Sequence, residues 1–176
     1  MKESKKGGEL DIIDAETLEK LKHIKSLGRG ATSEVFEVVR EERLALKVYN
    51  LDLFVEGNDD DDENENEKDE KIDINMKNVR RFLCECESIN HLDHKNIIKA
   101  FDVSFGDSTH PPAILLEYCA SNLKKKIKKL TESERINAIV DISSAMKEVH
   151  SIGLIHRDLK QQYQSERLWP LHSDDT

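Results

Sequence analysis

Two glycines and a lysine are the first residues in this sequence whose types and spacing could bind a phosphate. Gly28 and Gly30 lie one residue apart between two strand-like segments, and a glycine backbone can approach an anion without a Cβ in the way. Lys47 follows in an apolar segment, where an ammonium group is costly unless it is paired or bound to an anion. Each feature alone has an ordinary explanation, because Gly-x-Gly turns are common and a lysine on an edge strand can face water.

A glutamate on a helix is the expected partner of Lys47. Apolar residues recur at helical spacing between residues 76 and 91, and Glu85 falls on the same side as Phe82 and Ile89. Glu87 points to the opposite side. An acid that faces the interior needs a cation, so we expect Glu85 to pair with Lys47. The glycines, the lysine and the glutamate together predict a site for a polyphosphate.

The elements that must position these residues follow an order typical of an α+β fold. Three short strands come first, between residues 24 and 49. The remaining predicted elements are a helix at 76–91, strands at 97–105 and 113–118, and helices at 123–130 and 131–152. In the third strand, Leu44, Leu46 and Val48 alternate onto one face. Ala45 and Lys47 then share the opposite face.

The last predicted helix has recognisable ends. Thr131 and Glu134 form a capping-box pair at its start, and Gly153 supplies its stop. Its apolar stripe consists of Ile136, Ile139, Ile142, Met146 and Val149. We expect this helical part to be loose, aggregation-prone or covered by a partner, because the sequence offers no later helices on which the stripe could pack.

The acidity of the chain is concentrated in one segment. The chain has 176 residues, of which 37% are apolar and 36% charged, and its net charge is −9. Ten acids and two lysines between Asn58 and Asp73 account for −8, so the rest of the chain is nearly neutral. Dense like charge buries nothing, so the segment 57–73 is predicted to be disordered, although its position could let it tune the placement of Glu85. A calcium loop beginning at Asp59 would need glycine at its sixth position, where the sequence has Asn64.

The composition argues against several classes of protein. The nearly neutral remainder carries no basic footprint for a nucleic acid. No uncharged run approaches the roughly 18 apolar residues that a membrane span needs. Three cysteines are an odd number without a disulfide framework, and the first residues contain no secretory signal. We therefore expect a cytoplasmic protein without nucleic-acid or membrane partners.

Five motifs in register resemble the eukaryotic protein kinase family, from about Ile24 to Lys160. They are the runs LGRGATSEV, ALKV, FLCECESINHLDHKNII, AILLEYC and LIHRDLK. They match the family's Gly-rich loop, strand lysine, helix glutamate, adenine hinge and catalytic loop in that order. The resemblance implies an α+β, protein-kinase-like fold, with a five-stranded antiparallel small lobe, one main helix and the first helices of an incomplete helical large lobe.

The composition and the resemblance together predict a division of the chain. Residues 1–20 are polar and would be a frayed leader, and residues 21–119 would be the small lobe with the acidic insert 57–73. A partial large lobe would occupy 120–160, and 161–176 would be an unpatterned tail. A shifted reading frame, a retained intron or an early stop would each give such a tail.

An ATP site is the first functional consequence of the resemblance. Leu27, Val35 and Ala45 would enclose the adenine, and Leu116 would be the gatekeeper behind it. Glu117 and Cys119 would offer backbone hydrogen bonds to the adenine edge. Gly28 and Gly30 would cover the phosphates, while Lys47, oriented by Glu85, would hold the α- and β-phosphates.

A catalytic loop is the second consequence. Asp158 would accept the proton of the substrate hydroxyl, and Lys160, two residues later, resembles the serine/threonine subgroup. Lys47, Asp158 and Lys160 are therefore the implied catalytic residues. The implied reaction is transfer of the γ-phosphoryl group of ATP to a serine or threonine of a protein substrate.

The sequence departs from the family pattern at the metal site. Ser33 stands at the third loop glycine, and Tyr163 stands where the family has a Mg²⁺-binding Asn. No Asp-Phe-Gly follows Lys160. Mg²⁺ is expected for the family, but its ligands are missing, so we expect no metal site and no independent activity from this chain. A pseudokinase-like module that binds nucleotide or a protein partner, and a truncated product without function, remain as alternatives.

Other clusters have simpler interpretations. Cys84 and Cys86, with His91 and His94 nearby, look like metal ligands, but on one helix the two thiols point about 200° apart. Cys119 could be a reactive thiol, although a buried structural role fits it as well. The lysines between 124 and 129 are expected to form a solvated helix face, and contact with the acidic insert is an alternative.

Overall fold

The computed structural model describes residues 10–56, 73–156 and 159 of the chain. Strands within these ranges are β1 (Asp11–Ile12), β2 (Lys22–Arg29), β3 (Ser33–Val39), β4 (Arg43–Tyr49), β5 (Val55–Glu56), β6 (Asp73–Ile74), β7 (Ala100–Ser104) and β8 (Ala113–Glu117). The α-helices are α1 (Ala15–Glu19), α2 (Met76–Asn90), α3 (Leu123–Lys126) and α4 (Glu132–Ser151). The fold is α+β, as predicted.

A six-stranded mixed sheet forms the centre of the fold, with the strand order β1-β7-β8-β4-β3-β2. The five predicted strands pair antiparallel with one another. The addition is β1, which runs parallel to β7 and pairs Asp11 with Asp102. The expectation of a purely antiparallel five-stranded sheet is therefore corrected by one short strand at the edge.

The predicted polar leader is partly structured. Asp14 caps α1, because its Oδ1 accepts a hydrogen bond of 2.7 Å from the backbone N–H of Thr17. Leu18 of this helix is buried against the sheet. The pairing of β1 with β7, the buried Leu18 and the Asp14 cap order this polar stretch, so the expectation of a frayed leader is wrong for residues 10–20.

The two faces of the sheet carry separate cores, as the alternation in β4 predicts. The α2-facing core consists of Ala45, Tyr49, Phe54, Phe82, Cys86, Ile89, Ile98, Val103, Ile114 and Leu116. The opposite core consists of Leu18, Val38, Leu44, Leu46, Ala113 and Leu115. Alternate residues of β4 thus serve different cores, and Lys47 belongs to the face covered by α2.

Helix α2 covers one face of the sheet and ends within one residue of the predicted boundary. Asn75 caps it through a 3.1 Å hydrogen bond from the N–H of Asn78 to its side-chain oxygen. Its buried positions are Phe82, Glu85, Cys86 and Ile89, at the spacing of a single helical face. The sequence pattern therefore predicts which residues of this helix pack on the sheet.

The acidic segment is bracketed by a two-stranded pair. Val55 pairs with Ile74 and Glu56 with Asp73, so the chain returns to its starting point just before α2. Asp73 therefore belongs to a strand and not to the predicted disordered insert. The remainder of that insert, including the calcium-loop alternative at Asp59, and the predicted tail at 161–176 lie outside the described residues.

The C-terminal helices differ in how well the prediction fits. Helix α3 is shorter than predicted and continues as a 3₁₀ turn over Ile127–Lys129. Helix α4 has both halves of the predicted capping box, and Gly153 follows it with a left-handed φ of 80°. Ala145 and Val149 of α4 pack on Leu92 and Ile97.

The apolar stripe of α4 is only partly covered by the described residues. Ile139 is 64% exposed, and Ile136 and Val140 are also exposed. Ile142 and Met146, further along the helix, pack against the core formed with Leu92 and Ile97. The first half of the helix thus carries apolar side chains that no described residue covers.

Candidate nucleotide-binding site

One row of residues crosses the sheet beneath α2. Gly28 pairs with Val35, Val35 with Lys47, and Lys47 with Ile114, on four neighbouring strands. In the next row on the same face, Ala45 pairs with Leu116. Paired residues on adjacent strands project to the same side, so the sheet register brings Val35, Ala45, Lys47 and Leu116 together.

Lys47 and Glu85 form a buried ion pair, which confirms the predicted pairing. The Nζ of Lys47 lies 2.5 Å from Oε1 of Glu85. Lys47 is 3% exposed and Glu85 is 5% exposed, whereas Glu87 is on the solvent side of α2. A buried charge of either sign is tolerable here because its partner neutralises it. The pair joins the sheet to the helix and holds an ammonium group on the α2-facing side.

Tyr49 is a third member of this cluster that the sequence analysis did not single out. Its hydroxyl donates a 2.5 Å hydrogen bond to Oε2 of Glu85, and the Nζ of Lys47 lies 4.6 Å from the centre of its ring. Its position two residues after Lys47 puts it on the same face of β4, which is the signal that could have identified it.

Burial and the Glu85 carboxylate also govern the neighbouring titratable groups. Burial raises the pKa of Tyr49 well above its ordinary value, and the charge and hydrogen bond of Glu85 add to this effect. Burial, with a further contribution from the charge of Glu85, raises the pKa of the Cys86 thiol to about 12. Both groups therefore stay protonated at neutral pH, and Glu85 is the anionic centre of the cluster.

The hairpin of β2 and β3 carries the two predicted glycines. The N–H of Gly30 donates a 2.8 Å hydrogen bond to the carbonyl of Ser33, which closes the turn. Neither Gly28 nor Gly30 has a left-handed φ, and a Cβ built at Gly28 meets no atom within 4 Å. The fold of the hairpin does not require glycine at position 28, so its absent side chain matters only for what approaches the hairpin from outside. Leu27, the residue before, is exposed.

The segment after β8 contains the predicted hinge residues. Leu116 is fully buried in the α2-facing core, and Cys119 packs against that core from a half-buried position. The N–H of Glu117 donates 2.8 Å to the carbonyl of Lys99. The sheet thus ends at Glu117, one residue after Leu116, which pairs with Ala45.

Glu37 is a second buried acid on this face that the sequence analysis missed. It is 2% exposed and lies opposite Ala45. Its Oε2 accepts a 3.1 Å hydrogen bond from the hydroxyl of Tyr118. Lys25 and Arg43 lie 3.3 Å and 3.5 Å from its two oxygens. An acid in the middle of a strand, flanked by cations on both neighbouring strands, was the available signal.

The catalytic loop is described only in part. His156, its first residue, is buried. Asp158 and Lys160, the predicted catalytic residues of this loop, lie outside the described residues. Of the predicted catalytic set, the structure therefore locates Lys47.

The metal alternative can be compared with the geometry of α2 and the turn after it. Cys84 is exposed and Cys86 is buried, so the two thiols lie on different sides of the helix. His94 bonds Ser144 of α4 through Nε2 at 3.0 Å and accepts the N–H of Asn96 at Nδ1. Among the residues that the structure describes, no three His, Cys, Asp or Glu side chains come together as a metal site.

In that same part of the chain, every helix is too short or too polar to span a bilayer.

Comparison with known proteins agrees with this geometry. The protein kinase domain family matches residues 21–163. The inhibitor of nuclear factor kappa-B kinase subunit alpha of Xenopus laevis is 33% identical over 105 residues, covering 52% of this chain and 14% of the relative. A probable casein kinase II subunit alpha homolog of Encephalitozoon cuniculi is 29% identical over 154 residues, covering 85% of this chain and 40% of the relative.

A bacterial relative extends the comparison. The probable serine/threonine-protein kinase PknB of Lactococcus lactis is 31% identical over 147 residues, covering 79% of this chain and 20% of the relative. The chain thus spans less than half the length of each of these curated relatives. With the family matched over most of its residues and the lysine–glutamate pair in place, this chain belongs to the protein kinase family.

Proposed function

We propose that the α2-facing side of the sheet is the ATP site of a protein serine/threonine kinase. The observation that carries the proposal is the buried pair of Lys47 and Glu85. It lies on the face that also holds Ala45 and Leu116, beside the β2–β3 hairpin. An ammonium group held in place by a carboxylate, next to small and apolar side chains, suits a ligand with a flat base and a charged phosphate chain.

Each part of the site has a role in this proposal. Val35, Ala45 and Leu116, with Leu27 at the rim, supply apolar surface for the adenine. The backbone of Glu117 and Cys119 supplies hydrogen bonds to the edge of the base. Lys47 supplies positive charge to the α- and β-phosphates, and Glu85 orients it. Gly28 and Gly30 allow the hairpin backbone to approach the phosphates.

Phosphoryl transfer would add the residues of the catalytic loop. Asp158 would accept the proton of a serine or threonine hydroxyl, and Lys160 would stabilise the transferred phosphoryl group. ATP would bring Mg²⁺, but the residues do not fit the family's metal site. Position 163 is tyrosine where a metal-binding asparagine is needed. We therefore assign no step to a metal ion in this chain.

The same departure favours a second candidate function. A module that binds nucleotide or a protein partner without catalysis would keep Lys47, Glu85 and the apolar surface but would not need the asparagine. The substrate of the catalytic alternative would be a protein hydroxyl. In either case we propose a cytoplasmic location, because the sequence has an odd number of cysteines without a disulfide framework.

Titration with ATP, with and without Mg²⁺, tests the proposal. We expect ATP to raise the melting temperature of the protein, with little dependence on Mg²⁺, since a ligand that binds only the folded state stabilises it by about 2.7 kcal/mol at a hundred times its Kd. Gly28→Ala should fold normally, because its new methyl group meets no atom of the protein within 4 Å. It should bind ATP more weakly, because that methyl group would keep the hairpin backbone away from the phosphates. Lys124→Met, on the exposed side of α3, is the control. No response of the wild-type protein to millimolar ATP would refute the nucleotide site.

A further inference from the structure

We propose that Tyr49 is a positioning residue for the phosphate-binding lysine, acting through Glu85. The proposal rests on the ATP site proposed above. Tyr49 and Lys47 are two residues apart on β4, and each bonds a different oxygen of the same carboxylate. The tyrosine does not bind the nucleotide in this proposal. Its hydroxyl fixes the orientation of the Glu85 carboxylate that binds Lys47.

The argument begins with the two oxygens of Glu85. A carboxylate held by one hydrogen bond can still rotate about its terminal bond, since that torsion is broad. Lys47 holds Oε1 and the hydroxyl of Tyr49 holds Oε2, so the plane of the carboxylate is fixed at both ends. With its acceptor fixed, the ammonium group of Lys47 has one preferred position.

The ring of Tyr49 is itself held in place. Phe82 of α2 packs edge-on against it with ring centres 5.1 Å apart, and Phe54 does so at 6.2 Å. Phe82 lies three residues before Glu85, so one face of α2 contributes both the ring contact and the carboxylate. The ring also lies beneath the Lys47 ammonium group. Tyr49 thus links the strand and the helix at the point where the ion pair forms.

The hydroxyl of Tyr49 is suited to donation only. It is 7% exposed and is bonded to an anion, and burial raises its pKa, so it stays protonated at physiological pH. A neutral donor adds no charge to the pair. It therefore leaves the positive charge of Lys47 available to neutralise a phosphate while still fixing Glu85.

A comparison of ATP with adenosine separates positioning from general stability. Tyr49→Phe keeps the ring and its aromatic contacts and removes only the hydroxyl. We expect it to weaken binding of ATP on the order of tenfold, as for loss of one hydrogen bond to a charged group, and to leave adenosine binding unchanged. Replacement of Tyr49 by 4-aminophenylalanine, which restores an N–H donor in the same place, should recover the preference for ATP.

A matched tyrosine serves as the control. Tyr118 also donates its hydroxyl to a buried glutamate on this face, Glu37, whose cations are Lys25 and Arg43. Tyr118→Phe should change ATP and adenosine binding by the same factor, so the ratio of the two dissociation constants stays at the wild-type value.

The outcomes distinguish this inference from the site on which it rests. If wild-type protein binds ATP no better than adenosine, the proposed phosphate site fails and the role of Tyr49 fails with it. If the wild-type protein prefers ATP but Tyr49→Phe keeps that preference, or loses ATP and adenosine equally, Tyr49 is only structural. Should Tyr49→Phe not fold, the 4-aminophenylalanine protein decides: loss of its ATP preference would overturn the proposal.

Discussion

Tyr118 donates its hydroxyl hydrogen to Glu37 across 3.1 Å, so the segment that follows β8 is tied to the middle of β3. Burial opposes ionisation of Glu37, but the hydrogen bonds from Lys25 and Tyr118 and the charges of Lys25 and Arg43 outweigh it. They hold the pKa of Glu37 below its ordinary value. The ionised carboxylate of Glu37 therefore connects β2, β3 and β4 with the segment after β8.

The Glu37 contacts predict a stability difference that disappears in acid. A group whose pKa is lowered on folding stabilises the folded state above its ordinary pKa, and that contribution is lost as the pH falls through the folded-state pKa. Glu37→Gln should lower the melting temperature at neutral pH, and the difference should shrink as the pH drops below about 4. Glu42→Gln, in the exposed turn after β3, is the control. A difference that stays constant down to pH 2 would contradict this prediction.

The loop between β7 and β8 predicts a pH effect of the opposite sign. His110 contacts Asp107 at 2.8 Å and reaches Glu19 of α1 at 3.2 Å. The hydrogen bond to Asp107 is the main reason that the pKa of His110 is raised. Burial opposes this shift, and the hydrogen bond and charge of Glu19 add to it. Such a group stabilises the folded state below its ordinary pKa, and the contribution is lost as the pH rises through the folded-state value.

His110→Gln should therefore be less stable than wild type at pH 6 and should approach it as the pH rises well above the ordinary histidine pKa of about 6.5. Thermal unfolding between pH 5.5 and 9 checks the trend. His150→Gln, on the exposed side of α4, provides the comparison. A gap between the His110 variant and wild type that widens with pH would have the wrong sign.

Removal of Lys47 should destabilise the fold apart from any effect on nucleotide. Lys47→Met leaves the Glu85 carboxylate buried without its cation, and breaking a buried pair in this way costs about 3–5 kcal/mol. Tyr49 still donates to Glu85, so we expect the lower end of this range. The double variant Lys47→Met with Glu85→Leu removes both charges and should recover part of the loss. Urea unfolding of both variants measures this, and a double variant less stable than the single one would contradict it.

The strand pair at the base of the acidic segment allows that segment to be removed. Glu56 pairs with Asp73, so an Asn-Gly turn in place of residues 57–72 would close a two-residue hairpin. Shortening a loop from sixteen residues to two gains about 2 kcal/mol of closure entropy at most. We expect a higher melting temperature and an ATP affinity within about twofold of wild type, since the N-cap of α2 is retained. A large fall in affinity would instead support a role of the segment in placing Glu85.

The polypeptide 1–176 should transfer no phosphate from ATP to a protein substrate. Position 163 is tyrosine, and the sequence contains no Asp-Phe-Gly, so the groups that hold the family's metal ions are absent from it. A radiolabel assay with a serine- and threonine-rich protein tests this. Transfer that Asp158→Asn abolishes would overturn the prediction, whereas transfer that survives this substitution would come from a contaminant.

The elements that could be predicted from the sequence are those whose apolar residues recur at one regular spacing. Alternation in β4 assigned Lys47 to its face, and helical spacing turned Glu85 inward, so their meeting could be expected. The short β1 and α1 could not, because their order depends on one buried side chain, Leu18, and on pairing with a strand about 90 residues away. Polar composition gives no sign of such long-range anchoring.

The missed members of the site share one property. From the sequence, Tyr49 is expected to be a core aromatic and Glu37 a surface acid. The role of each depends on a hydrogen-bond partner on another element. Glu85 lies 36 residues after Tyr49, and Tyr118 lies 81 residues after Glu37. A polar contact across such separations depends on the register of the sheet, which local patterns do not specify.

The alternation along β4 also protects the protein while it folds. If β4 paired with its neighbours one residue out of step, Leu46 and Val48 would turn toward α2 and Lys47 would enter the apolar layer beneath α1. There the ammonium group would be separated from Glu85, and a misaligned sheet would leave that buried carboxylate without its cation. A misaligned intermediate of this kind would lose stability on both faces of the sheet. Lys47 and Glu85 therefore also favour the correct register of β4.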